Sequence, residues 1–223
     1  MIEKAVLTPT FFMDFESAII QAFVDKNTTS EKSKEEKAIE LYYAVRDLIR
    51  YDPYTYSFDR ATFKATHVIK TGRAWCVPKA ILYTACCRAI GVPARLGFAD
   101  VRNHLSTERM RKTMKTDVFV WHGYTSVFLH GQWVKATPAF NIELCEKFGL
   151  KPLEFDGTTD SIYHPYDLAG NEHMEYLTDH GVFDDFPHQT MVDACIKMYG
   201  EPEKTDANFE EDVEKEVNPI TGC

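Results

Sequence analysis

The chain has 223 residues, a formal net charge of −9 and 44% hydrophobic residues, enough apolar material to bury a full core in one domain. With no Lys/Arg-rich run beyond Arg109-Met-Arg-Lys112, the negative balance argues against nucleic acid or an anionic membrane as the main partner. Six cysteines, two of them adjacent, make no disulfide framework in a chain this size, and a reducing cytoplasm fits that usage.

The opening residues carry acidic groups and no apolar core after a basic start, so neither a signal peptide nor a spanning segment is expected. A helix is predicted over residues 9–24, then a polar linker over 25–33. Ser33-Lys-Glu-Glu36 has the capping-box pattern and should start a second helix, whose Ala38, Leu41, Tyr42, Val45, Leu48 and Ile49 form an apolar stripe. The aromatic, turn-prone stretch 52–67 is either one wall of a substrate cleft or a loop pinned by its rings. A third helix follows Gly72-Arg-Ala-Trp-Cys76. Val77, Ala80, Ile81, Thr84 and Ala85 recur at helical spacing, Pro78 is tolerated in a first turn, and Gly91 with Pro93 ends it.

Residues 94–99 read as the first strand of a mainly antiparallel sheet, ending at Asp100-Val-Arg-Asn-His104, and 105–116 as a charged, mobile loop holding the basic tetrad. From His122 to His130 the letters alternate with strand-like period two, Gly131-Gln132 suits a tight turn, and 133–137 returns as a second strand. Asn141 can cap a helix over Ile142–Phe148 closed by Gly149. The long polar and aromatic segment 155–167, continued by 173–181, is expected to fold over the cleft as a loop. Its Asp156, Asp160, His164, Asp167 and His173 lack the close spacing of a metal site, so no metal is expected. A last helix is predicted over His188–Tyr199 with Gly200 as its stop, and a flexible acidic tail over 201–223. The domain expected is 1–200, with its core at 36–141 and a C-terminal elaboration over 142–200. No repeat, phosphate-cradling glycine loop or dinucleotide fingerprint is present, so no cofactor is expected.

Cys76 is the residue to which this pattern gives chemistry. A cysteine attacks as the thiolate, and a sulfur facing the positive end of a helix, beside a histidine that takes its proton, is what a thiol nucleophile needs. Cys86 and Cys87, further along the same helix, read as small core residues. A lone histidine on a strand is ordinarily structural, so His122 stands or falls with Cys76. Trp75 either walls the thiol pocket or belongs to the core, and Trp133 should pack beneath the site. Arg102 and His104, gathered where a core strand ends, are candidates for substrate contact, although a surface loop would carry the same letters.

The order of helix-borne Cys76, strand-borne His122 and a return strand Trp133-Val-Lys-Ala-Thr-Pro138, with Ile49-Arg-Tyr-Asp-Pro53 before it and Cys87-Arg-Ala-Ile-Gly-Val-Pro-Ala-Arg95 between, resembles the transglutaminase-like superfamily of thiol enzymes. The resemblance covers about residues 49–141. It implies an α+β fold with a transglutaminase-like, papain-like core: the nucleophile helix packed on a mainly antiparallel sheet, with extra helices at both ends. It also implies a cysteine-dependent acyl-transfer enzyme acting on a peptide, protein or small amide. Cys76 would form the acyl-enzyme and His122 would act as base. Hydrolysis is expected over crosslinking, since nothing here resembles the calcium-regulated extra domains of the large crosslinking enzymes. In the family an aspartate stands four residues after the tryptophan and orients the histidine. Here that position is Thr137, whose hydroxyl can accept a hydrogen bond but brings no charge. Asn141 is the next candidate for the third member, with Asp100 and Asp117 in reserve. A scaffold that binds peptide without turnover, and an acyltransferase using a small thioester donor, stay open.

Overall fold

The computed structural model describes residues 4–103, 106–163, 167–170, 174–202 and 205–217. At its centre is helix α4 (Cys76–Ala89), 13 of whose 14 residues are buried. A helix apolar on every side can only sit inside. One flank meets strands β3 (Ala94–Asn103) and β4 (Val118–Leu129), and the other meets α1 (Ala18–Asn27), α2 (Lys34–Leu48) and α3 (Ala65–Thr71). Its two buried cations are met by backbone carbonyls. Lys79 Nζ donates to Arg46 O and Ile49 O, and the Arg88 guanidinium reaches the carbonyls of Thr8, Ala94 and Asp184. Burial holds the Lys79 ammonium well below its ordinary pKa. The first turn of α4 is thereby tied to the end of α2.

The N-terminal helix is shorter than its letters suggest. Thr10 Oγ1 accepts from Met13 N and Ser17 Oγ from Ile19 N, so local side-chain bonds compete with the helix until Ala18. Phe12, Met13 and Phe15 are buried from irregular backbone. The capping box forms at the start of α2, with Ser33 Oγ accepting from Glu36 N and Glu36 Oε2 from Ser33 N. Leu48, expected on the apolar stripe, is 56% exposed, because the helix ends there and the chain turns into β1 (Arg50–Tyr51). β1 pairs in parallel with β2 (Arg73–Ala74), which leads straight into α4.

The four-stranded sheet is antiparallel, in the order β5 (Gln132–Ala136), β4, β3, β6 (Met174–Phe183). The β4–β5 turn falls at His130-Gly131, both with positive φ (50° and 83°); this is one residue earlier than expected, and in the left-handed geometry that two-residue hairpins prefer. Trp133 is not beneath the site: it lies near the far end of the hairpin, 38% exposed, against Phe128 and the Arg95 guanidinium. β6 replaces an expected loop. It is an edge strand with exposed Leu177 and Val182, so its sequence lacks the usual alternation. The charged stretch after residue 105 holds α5 (Glu108–Met114), capped by Thr107, rather than a free loop. α6 (Ile142–Phe148) and α7 (His188–Tyr199) form where predicted. Part of the acidic tail is ordered as α8 (Phe209–Val217), which buries Phe209 and Val213.

Gly97 on β3 faces Tyr124 on β4, and a Cβ at position 97 would stand 2.1 Å from the Tyr124 ring. Gly97→Ala is expected to displace that ring and to cost about 1–3 kcal/mol, the range for overpacking a filled core, measured by urea unfolding.

Candidate active site

Cys76 is the first residue of α4 and is 7% exposed. Trp75, at the N-cap position, gives no side-chain cap, so the first N–H groups of the helix are left for other acceptors. Gly123 on β4 closes over this turn. A Cβ there would lie 3.0 Å from Val77 Cα, so any larger residue would press on the backbone of this turn. The backbone N–H groups of Gly123 and Val77 act on the Cys76 sulfur in favour of the thiolate, but burial outweighs them and pushes the thiol up to about 12.

His122 precedes Gly123 in the strand, 5% exposed. Burial alone lowers its imidazole to about 4, and Nε2 has no hydrogen-bond partner among the described residues. Near neutral pH the two groups are therefore a thiol and a neutral imidazole, a state that backbone donors and helix end had not led the sequence to suggest.

What aims His122 is a β-bulge. Ala99 pairs with His122 and Val101 with Phe119, so Asp100 alone faces both Val120 and Trp121. Trp121 takes φ 58°, a left-handed conformation that strains a bulky residue. Three partners hold it. Asp100 Oδ1 accepts from Trp121 N at 2.9 Å and bonds His180 Nε2 at 2.7 Å. The Trp121 and His180 rings stack with centroids 4.7 Å apart. The Tyr199 hydroxyl accepts from Val120 N and donates to Val118 O. Nothing in the letters around Trp121 signals an extra residue, and neither Asp100 nor Tyr199 was legible as its support.

The candidates for a third member are distributed differently from expectation. Thr137 is 1% exposed, and its Oγ1, near the Tyr176 hydroxyl, has no hydrogen-bond partner among the described residues; since the same holds for His122 Nε2, the two do not bond each other. Asn141 Oδ1 accepts from Tyr51 N, and Nδ2 reaches Glu143. Asp100 is engaged at the bulge, and Asp117 pairs with Arg102. Against His122 lies the Tyr163 ring, at 5.7 Å between centroids, supplied by the segment expected to fold over the cleft.

Cys76 and His122 line one cavity of about 340 Å³. Trp75 lines it too, edge-on to Tyr56 and Phe63, and so does Tyr56, whose buried hydroxyl has no hydrogen-bond partner among the described residues. Arg102 does not line it. That guanidinium pairs with Asp117 and Glu175, on the opposite face of β3 from its neighbours Val101 and Asn103, which do. His104 lies outside the described residues, as do His164 and His173. Among the described residues no group of acidic, histidine and cysteine side chains is placed to hold a metal. Nor is any described helix long and apolar enough to cross a membrane. Arg109, expected in a solvated loop, lines the cavity and pairs with Asp212 of α8.

The family model of the transglutaminase-like superfamily matches residues 21–138, more than half the chain and the span that carries α4 and the β4–β5 hairpin. The chain belongs to the transglutaminase-like superfamily. Its fold is thus that of a family of cysteine enzymes. Among solved structures it is similar to a "Putative Cysteine Protease" from Cytophaga hutchinsonii, at 18% identity and TM-score 0.45, over 81% of this chain and 56% of that one. It is similar also to a "putative protease" from Parabacteroides distasonis ATCC 8503, at 13% identity and TM-score 0.39, over 60% of this chain and 26% of the other. The chain therefore spans little more than half the length of the first and about a quarter of the second. No curated protein matches it.

Within this superfamily fold the bulge supplies a test. Asp100→Ala leaves the Trp121 N–H unpaired and is expected to destabilise the protein by about 2 kcal/mol, read by urea unfolding. It should also slow iodoacetamide alkylation of Cys76 at pH 7 by about tenfold or more, since a misplaced imidazole loses its geometry. An unchanged alkylation rate in the folded variant would show that the bulge does not aim His122.

Proposed function

We propose that the chain is a cysteine-dependent acyl-transfer enzyme that hydrolyses an amide or peptide bond of a peptide, protein or small amide substrate. The observation that carries this reading is the meeting at one cavity of the Cys76 thiol, at the start of α4, and the His122 imidazole, whose Nε2 has no hydrogen-bond partner among the described residues. Cys76 Sγ attacks the carbonyl carbon as its proton passes to His122. The imidazolium then gives that proton to the leaving amine, and water resolves the thioester to the acid and the free thiol. In this reading the Cys76 backbone N–H donates to the developing oxyanion. The Tyr56 hydroxyl is the second donor: burial keeps its pKa well above the usual tyrosine value, so it stays protonated.

Because burial holds both groups neutral, the thiolate forms only as attack proceeds. Thr137, at the position of the family aspartate, is the neutral third member in this reading: its hydroxyl and His122 Nε2, both without a partner among the described residues, would pair as the imidazole takes the proton, and Asn141 is the alternative. Arg102 has no part in substrate binding in this reading; Trp75 walls the site. The thiols that the described residues leave unpaired, Cys86, Cys87, Cys145 and Cys195 besides Cys76, suit a reducing cytoplasm. A second reading, a scaffold that binds peptide without turnover, is favoured by one observation: burial is what shifts His122, and no carboxylate among the described residues acts on it to stabilise an imidazolium.

The pH profile of Cys76 alkylation by iodoacetamide, read by intact mass and peptide mapping, separates the two. A group whose pKa is lowered to about 4 is neutral, and able to accept a proton, at any pH above that value. Enzyme chemistry is therefore expected to give a rate that rises through about pH 4, levels off across neutrality, and falls about 100-fold or more in His122→Ala. A rate that instead climbs tenfold per pH unit above 7, equally in both proteins, would mark a thiol with no base and overturn the enzyme reading.

A further inference from the structure

The cavity at Cys76 has a composition that the proposed reaction does not require. Around the thiol stand Tyr51, Tyr54, Trp75, Phe119 and Phe140, and Met110, Met114 and Met174 fill between them. Its charged lining residues are Arg109, already neutralised by Asp212, and Glu201, an exposed residue. Behind two of its lining rings stands α8. The Phe209 ring packs on Tyr51 at 6.1 Å and on Tyr54 at 5.3 Å, and Asp212 accepts from the Tyr54 hydroxyl at 2.9 Å. A volume of about 340 Å³ is at the lower end of sites that enclose a small molecule, much larger than an oxyanion and a scissile bond need.

Resting on the reading of Cys76 as nucleophile, we propose that this cavity is the acyl pocket, and that the donor carries an uncharged, bulky apolar group, aromatic by preference, on the carbonyl that Cys76 attacks. The ring-lined space suits the half of the substrate that stays bound to sulfur, whereas the leaving half must exit. Aromatic and thioether side chains receive a ring in edge-on or sulfur–ring contact. An anionic group would meet as its cation only Arg109, already paired with Asp212, and would lose part of its hydration.

The test uses the full chain with the p-nitrophenyl esters of acetic, 3-phenylpropanoic and succinic acids. Each step forms a Cys76 Sγ–acyl bond and breaks the ester C–O bond, releasing p-nitrophenol, which takes up the thiol proton by way of His122. Rates are read as nitrophenol release, divided by each ester's rate with a free thiol, and the acyl-Cys76 adduct is confirmed by mass. The 3-phenylpropanoyl ester is expected to react on the order of 100-fold faster than the acetyl ester, as one extra contact-making group in an apolar pocket allows at its upper range, and the succinyl ester slower than either. In Met114→Trp, which fills the pocket, the phenylpropanoyl-to-acetyl ratio should fall at least about tenfold. Equal normalised rates, or a faster succinyl ester, while acetylation of Cys76 still depends on His122, would overturn the pocket assignment and leave the nucleophile standing. Failure of Cys76 to take any acyl group or iodoacetamide would overturn both.

Discussion

A helix that is apolar on every face has nowhere to go but the interior, and the rest of this molecule is arranged around that fact. α4 carries its nucleophile candidate at its first residue, so burying the helix also buries the thiol. The cost falls on charge. Lys79 and Arg88 must be met by backbone carbonyls, and Cys76 and His122 are both driven to their neutral forms. The backbone donors at the sulfur reduce this penalty without reversing it.

Precision at such a site comes from backbone geometry more than from ion pairing. Gly123 lets a strand touch the first turn of α4, and the bulge at Trp121, held by Asp100 and Tyr199, fixes the residue just before it. In family members with an aspartate as third residue, a charge helps hold the histidine. Here strand, bulge and the Tyr163 ring do the holding, and the buried Thr137, beside the Tyr176 hydroxyl, brings no charge. That arrangement agrees with a cavity walled by rings and thioethers, where a fixed charge would lower the affinity for an apolar group.

Much of the frame was legible from residue types and spacing. The capping box at Ser33, the limits of α4, the Gly149 end of α6 and the span of α7 are local signals with local causes, and the helix–strand–strand order was enough to suggest the family; α6 starts after Asn141 as read, but Asn141 gives no side-chain cap and Asp47 meets the Ile142 N–H instead. What was not legible depends on contacts distant in sequence. β6 is an edge strand whose exposed side chains blur its alternation, and α8 is acidic enough to read as a tail until Phe209 finds Tyr51 and Tyr54. The bulge needs an aspartate twenty-one residues away. Leu48 and Trp133 are apolar letters that the fold leaves partly in solvent, which composition cannot foresee.

The charge state of His122 tests this account most directly. Nitrogen-15 chemical shifts of the imidazole, assigned by comparison with His122→Gln and followed from pH 3.5 to 9, distinguish a neutral ring from an imidazolium. The account expects a neutral His122 throughout the neutral range, protonating only near pH 4, with no second step when Cys76 is replaced by serine. An imidazolium at pH 7 that loses its proton once Cys76 is replaced would show a thiolate–imidazolium pair at rest, and would contradict the claim that burial keeps both groups uncharged until the acyl donor arrives.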